Sequence, residues 1–401
     1  MRSRSAVYCG PAGKSKRKFG SKGPAMHLLG ETDMRQLFCL FTFLALTAQA
    51  SYARAKNVIL FLGDAGGIPT LNIASIYEYD HPQKLFVQQM PYIGLMDTSA
   101  ADEWVTDSAA GMSAIVTGQK TNNGVISQSS AAVHGKQDGE ILETILEHAE
   151  QRGLSTGVVS NMNITDATTA ACYAHANDRS ASGTIFAQIF TPRFGDGVDV
   201  VIGAGRNSVL AATAKIGLNV ECLARQKGYA FYPSLQEMSA SDRRVIVLSR
   251  TSDFNVWEAT DRTIHILAQN KRGYFLMVEW DTHTDNLKRG LDQAIALDTT
   301  IRKTAQSVGK DTLILFAADH SFDIRLRGGK RGEPLLSKTD NAGATPATPH
   351  IRVDDGHTGE QVLVTAQGPG AERVHGFIAN TDLFHIMMAA YGWGKWETNR
   401  K

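Results

Sequence analysis

The chain has 401 residues, 43% of them hydrophobic and 20% charged, a profile that buries a sizeable core and excludes disorder for most of its length. Lys plus Arg number 41 against 40 Asp plus Glu, so no basic field exists to hold nucleic acid or an anionic membrane by charge alone. The expected partner is a small molecule.

Residues 1–33 are basic, Gly-rich and without apolar periodicity. Met34-Arg35 then opens a short positive region, Leu37 to Leu46 is apolar apart from Thr42, and Ala48-Gln49-Ala50 has the small residues of a cleavage site. We read residues 34–50 as a secretory signal, with cleavage as late as residue 55, and residues 1–33 as a spurious or disordered extension upstream of the true start. The apolar run is too short to span a bilayer as a mature helix, so a periplasmic or secreted protein with no stable membrane span after signal removal is expected. Of the four Cys, Cys9 and Cys39 go with the leader. Cys172 and Cys222 remain, either as one disulfide in an oxidising compartment or as a pair of buried free thiols.

Asn57 to Leu62 (NVILFL) is a continuous apolar run that stops at Gly63-Asp64, as a fully buried strand of a parallel sheet does. Similar runs follow at Thr156 to Ser160, Val198 to Ile202, Val245 to Leu248, Tyr274 to Val278, Thr312 to Ala317 and Gln361 to Thr365. Helix-period segments lie between them, at Glu140 to Arg152, Trp257 to Lys271 and Asn286 to Val308. The alternation predicts an α/β fold. Arg325 to Arg352, rich in Gly, Pro, Thr and Lys, reads as a loop.

Ligands of such sheets sit beyond the carboxyl ends of the strands. Three of the strands end in metal-ligand residue types: Asp64 after NVILFL, Glu279 and Asp281 after YFLMV, and Asp319 with His320 after TLILFAA. A single Asp at a strand end is ordinarily a turn former or a cap. Three together indicate divalent metals, since imidazole suits zinc while carboxylates and hydroxyls suit magnesium. Paired divalent ions clamp the attacking and leaving oxygens of an in-line displacement at phosphorus, so a phosphate ester is the natural substrate. Thr106-Asp107-Ser108-Ala109-Ala110-Gly111 then supplies a nucleophile: Ser108 opens a run of small residues able to form a tightly packed helix, whose N-terminus favours an anion.

These words resemble alkaline phosphatases in order and local wording: Gly63-Asp64, the Thr-Asp-Ser-Ala-Ala-Gly run, Thr165-Asp166-Ala167-Thr168 followed by Ala174-His175 and Arg179, Ala318-Asp319-His320, and His357-Thr358-Gly359-Glu360. The likeness runs from about Lys56 to Trp393 and includes the non-catalytic Thr381-Asp382-Leu383-Phe384-His385. It implies a three-layer sandwich with a mostly parallel central sheet flanked by helices, a catalytic domain over residues 56–395, and a homodimer. It also implies an alkaline phosphatase that hydrolyses phosphate monoesters through a phosphoserine on Ser108, with two zinc ions and one magnesium. By the same resemblance Arg179 grips two phosphate oxygens, as its planar fork suits it to do. Asp64, Asp319 and His320 hold the zinc beside Ser108, and His357 belongs to the other zinc. Thr168 and Glu279, with Asp64 bridging, form the magnesium site, and Asp166 lies beside it and the substrate.

One stretch departs from the family. Glu279-Trp280-Asp281-Thr282-His283-Thr284-Asp285 is several residues shorter than the usual segment between the magnesium Glu and the zinc His. Counting back from Asp298 puts His283 on that His. Its Asp partner is then Asp281, which we prefer, or Glu279 itself, which keeps the family spacing of four; a role for Asp285 stays open.

Rival readings fare worse. Gly153-Leu154-Ser155-Thr156-Gly157 fits a nucleophile elbow, but a predicted helix precedes it and a strand follows, the reverse of what that motif needs. Gly10-Pro11-Ala12-Gly13-Lys14-Ser15 lacks the full spacing of a phosphate-cradling loop. No Pro and Arg follow Ser108 as a sulfatase requires. A phosphodiesterase of the same superfamily and a non-catalytic periplasmic phosphate or metal binder are the alternatives.

Overall fold

The computed structural model of the chain describes residues 54–239, 241–336 and 348–394. The expected signal at 34–50 and the extension before it lie outside the described residues. Among the described residues no helix is long and apolar enough to cross a membrane.

The strands are β1 (Asn57–Asp64), β2 (Tyr92–Asp97), β3 (Ser155–Asn163), β4 (Val200–Ala204), β5 (Ala230–Tyr232), β6 (Val245–Leu248), β7 (Tyr274–Asp281), β8 (Thr312–Ala317), β9 (Ser321–Leu326), β10 (Ile351–Thr358), β11 (Val362–Gln367) and β12 (Gly376–Ala379). Ten of them form one sheet in the order β12-β2-β11-β8-β1-β7-β3-β4-β6-β5, and β9 with β10 forms a separate antiparallel pair. Only β11 breaks the parallel pattern of the large sheet, running antiparallel to both β2 and β8. The expected α/β class with a mostly parallel, helix-flanked sheet is therefore observed.

The apolar run of β1 explains the layering. Val58, Leu60 and Leu62 enter one hydrophobic core, while Ile59 and Phe61 enter another. Successive side chains of a strand point to opposite faces, so a strand apolar at every position must be covered on both. One cover includes helices Ser108–Thr117, Ile145–Gln151, Ala167–Tyr173 and Asp382–Tyr391; the other includes Ile68–Tyr79, Val256–Leu267 and Leu287–Ser307. Each fully buried Ile, Leu or Phe here contributes about 1.5–3 kcal/mol relative to an exposed one.

The structure corrects three expectations. The helix read from Glu140 begins at Ile145, because Thr144 accepts from the Glu147 N–H and the Glu147 carboxylate reaches back to the Thr144 N–H, closing a capping box. Cys172 and Cys222 are both free, Cys172 buried and Cys222 exposed, so neither the disulfide nor a buried pair holds. The stretch read as a loop from Arg325 to Arg352 contains the ends of β9 and β10.

At the amino end of β3 and β4, away from the strand tips, Glu150 is 5% exposed and accepts from the Thr156 hydroxyl at 2.5 Å and the Gly197 N–H at 3.2 Å. Burial, reinforced by Asp199 and Asp196, pushes its carboxyl from the usual 4.5 up to about 7. The raised value makes the folded state hold a proton that the unfolded chain has released. Stability is thus fully present below about pH 4.5 and falls as pH rises to about 7. At about 1.4 kcal/mol per tenfold change in proton affinity the loss approaches about 3 kcal/mol. Glu150→Gln is expected to match the native protein at pH 5 and to melt several degrees higher at pH 8, as thermal unfolding at the two pH values will show. Equal melting temperatures at pH 8 would contradict this.

Candidate active site

Register brings the site together. In the parallel pairing of β1 with β7, Leu62 lies opposite Glu279 and Asp64 opposite Asp281. On the other side of β1, Leu62 lies opposite Ala317, so Asp319 and His320 follow at the same edge. Beyond β7, Ser160 of β3 pairs with Glu279, and helix Ala167–Tyr173 after that strand carries Thr168. His357 arrives on β10, with its Nδ1 at 3.1 Å from the Thr106 carbonyl, and its ring stacks on His320 at 3.6 Å.

Ser108 is the first residue of helix Ser108–Thr117, with Asp107 as N-cap accepting from the Ala110 N–H at 2.9 Å. The Ser108 hydroxyl lies 3.3 Å from His320 Nε2, 212 residues away in sequence. Gly111 permits this approach, because a Cβ there would meet the Asp319 carbonyl oxygen at 2.9 Å. The other Asp107 oxygen accepts from Arg179 Nη1 and from the Gly124 N–H, each at 2.9 Å. The N-cap thus also aims the arginine, whose side chain stays one-third exposed.

Two groups of ligand atoms lie within 4.8 Å of one another: Asp64 with Asp319 and His320, and His283 with His320 and His357. Thr168 and Ser160 flank Glu279, which is fully buried. Asp281 Oδ1 accepts from the His283 N–H at 3.1 Å and faces its Nδ1 at 2.9 Å, whereas Oδ2 takes Arg289 Nη2 at 2.7 Å. Asp166 is partly exposed and close enough to Arg179, Asp64 and Asp281 to feel their charge. All eleven residues singled out from the sequence as site residues therefore fall in one region, and Asp285 is exposed outside both ligand groups.

The electrostatics are those of a crowded anionic pocket. Burial opposes ionisation of Asp64, but His320, His283 and His357 outweigh it and hold the carboxyl down at about 2. Burial and then Asp64 raise Glu279 well above its usual range and push Asp319 up to about 6. Burial, again reinforced by Asp64, pushes Asp166 up to about 6 although Arg179 opposes it. Burial also works against a charged His283, yet Asp281, Asp64 and Asp319 overcome it and lift the imidazole to about 9. Protons balance the cluster here, which is the charge that divalent cations supply when they displace them.

Orphaned atoms test whether metals fit. Both Glu279 oxygens, Asp319 Oδ2 and Asp64 Oδ1 are buried without a hydrogen bond. Buried carboxylate oxygens left unsatisfied are costly unless a cation takes them. The oxygen and imidazole donors suit magnesium at Glu279 and zinc at the His-bearing groups.

The family profile of alkaline phosphatase matches residues 55–231 and 226–349. The chain belongs to the alkaline phosphatase family. It is 28% identical to an alkaline phosphatase of Escherichia fergusonii, over 87% of this chain and 88% of the relative. It is 27% identical to alkaline phosphatase H of Pseudomonas aeruginosa, covering 86% and 87%. Among solved structures, alkaline phosphatase from Thermus thermophilus superposes with a TM-score of 0.72 at 20% identity, covering 85% of this chain and 92% of that one. That from the Antarctic bacterium TAB5 gives 0.70 at 23%, covering 86% and 100%. At these identities the superpositions speak for the fold.

Asp107, Ser160, Asn161 and Arg289 were not read as site residues. Asp107 and Ser160 had weak signals, one as a cap residue beside Ser108 and the other at a predicted strand end. Asn161 and Arg289 had none, because their partner Asp281 is 120 and 8 residues away and only the fold selects it.

Proposed function

We propose that the protein is an exported phosphatase of phosphate monoesters, working through a phosphoserine on Ser108 with two zinc ions and one magnesium. The observation that carries this is the Ser108 hydroxyl at a helix N-terminus, 3.3 Å from His320 Nε2, with Arg179 aimed by the adjacent Asp107. Asp64, Asp319 and His320 would hold one zinc, His283, His357 and Asp281 the second, and Glu279, Thr168 and Asp64 the magnesium. When bound, such ions would lower the proton affinity of the Ser108 hydroxyl, stabilise charge on the leaving oxygen and neutralise the buried carboxylates.

The residues of the chain do the rest. Arg179 donates two parallel hydrogen bonds to non-bridging phosphate oxygens and holds phosphorus in front of Ser108. The positive end of helix Ser108–Thr117 favours the same anion. Ser108 Oγ forms a bond to phosphorus as the bond to the ester oxygen breaks, and the alcohol leaves with a proton. Water then cleaves the phosphoserine, releasing inorganic phosphate and restoring the hydroxyl.

Export rests on the signal read at residues 34–50, and a homodimer belongs to the same family-based reading. Hydrolysis of nitrophenyl phosphate is expected to exceed that of bis(nitrophenyl) phosphate by about a hundredfold or more, since a second ester group occupies an oxygen that Arg179 holds. A preference for the diester would overturn the substrate assignment.

A further inference from the structure

The shortened segment after Glu279 leaves Asp281 and His283 only two residues apart, with Asp281 as the last residue of β7. Its carboxylate must therefore be aimed by contacts rather than by a longer loop. Three contacts do this. The Asp281 backbone N–H donates to Asn161 Oδ1 at 2.9 Å, which ties the strand end to β3. Arg289 Nη2 takes Oδ2 at 2.7 Å. Oδ1 accepts from the His283 backbone N–H at 3.1 Å and is turned to the His283 ring, whose Nδ1 lies 2.9 Å from it and 3.8 Å from Asp64 Oδ1.

Arg289 is unusually placed for a residue with only a surface role. It lies in the first turn of helix Leu287–Ser307, where its own N–H is capped by Asn286 Oδ1 at 3.2 Å. The helix dipole disfavours a cation there, and no acidic residue occupies that turn. The compensating anion is Asp281, whose side chain is 8% exposed while that of Arg289 is 42% exposed. A guanidinium N–H on one oxygen of a carboxylate fixes the plane of the group and so the direction of the other oxygen, which is how outer partners orient metal ligands.

We propose that Arg289 is a positioning residue for the second metal site: by holding Asp281 Oδ2 it presents Oδ1 beside His283, and so sets the affinity of that site without touching substrate. This rests on the metal-dependent reading above. The effect is local, because Asp64, Asp319 and His320 have no contact with Arg289 among the hydrogen bonds and ion pairs of that group.

The test titrates zinc into metal-free native protein, Arg289→Ala and Arg289→Lys against a chromophoric chelator, with cobalt(II) absorption reporting ligand geometry. The native protein is expected to take up zinc in at least two affinity classes. In Arg289→Ala one class weakens about 10–100-fold, as loss of an outer partner typically does, while another is unchanged. Arg289→Lys keeps the charge and one donor, and is expected to recover part of the affinity and of the native cobalt spectrum. Unchanged affinity in Arg289→Ala, or tighter binding through relief of charge repulsion, overturns the proposal. Weakening of every class together overturns it as well, since it marks general loosening of the fold. If native protein binds no zinc, the metal-dependent reading itself fails, a result separate from the other three.

Discussion

Ser108→Ala is expected to lower phosphate-ester turnover by about a thousandfold or more while leaving the bound-metal count of the native protein intact. Ser108 is 4% exposed and its hydroxyl faces His320 Nε2. Removing it leaves the Asp107 cap and the Asp107–Arg179 pair in place, so phosphate still meets its anion site and the loss falls on the chemical step. Ala also suits the first turn of a helix made of small residues, which keeps the stability change small. Two measurements check this: turnover of nitrophenyl phosphate with metal content by atomic emission, and acid-trapped phosphoserine, expected in native protein and absent from the variant. A variant within tenfold of the native rate would remove Ser108 from the nucleophile role.

Asp64→Asn carries the second large effect, modest in metal-free protein and large in metal-loaded protein. Asp64 raises the proton affinity of Glu279, Asp319 and Asp166 together, so it is the carboxylate around which the others are crowded. Yet His320, His283 and His357 hold the Asp64 carboxyl down at about 2, so its charge stabilises the fold at neutral pH, and metal-free Asp64→Asn, which loses those pairings, is expected to melt below the native temperature. With zinc and magnesium the gap widens. A shared ligand of two sites has lost its charge, which should weaken binding by more than the roughly 10–100-fold that an outer partner contributes. The rise in melting temperature on adding metals, large for native protein, should then nearly vanish, and activity with it. Calorimetric melting with and without metals decides the matter; an undiminished rise in the variant would show that Asp64 is no ligand.

The two variants separate the parts of the site that were readable in advance from those that were not. Asp64 closes a strand whose five apolar residues, Val58 to Leu62, announce burial on both faces, and Ser108 opens a run of small residues after a capping Asp. Both signals are local, so both residues stand out in a single sequence. Arg179 drew attention only through a family resemblance, since one Arg in a polar stretch has no local signature. The loop after Glu279 was harder still: spacing alone left Asp281 and Glu279 as rival partners of His283. Pairing of β1 with β7 puts Asp281 opposite Asp64 and beside His283, while Glu279 is two positions back among Ser160 and Thr168.

Strands β2, β5 and β12 have no clear sequence signature for a related reason. β5 and β12 are short and lie at the two edges of the sheet, and β2, though interior, is exposed at its start, so none shows the unbroken apolar run by which buried strands are recognised. The antiparallel direction of β11 is likewise invisible, because a buried strand reads the same whichever way it runs.

The amino-acid sequence by itself determined the α/β class, the fully buried central strands and the residue types gathered at their carboxyl ends, because each follows from apolar period and chain-local caps. The tertiary structure decided which of those residues meet. Ser108 with His320, Arg179 with Asp107, and Asp281 with Arg289 and Asn161 depend on the register of parallel strands, and register is set only when crossover helices pack both faces of the sheet.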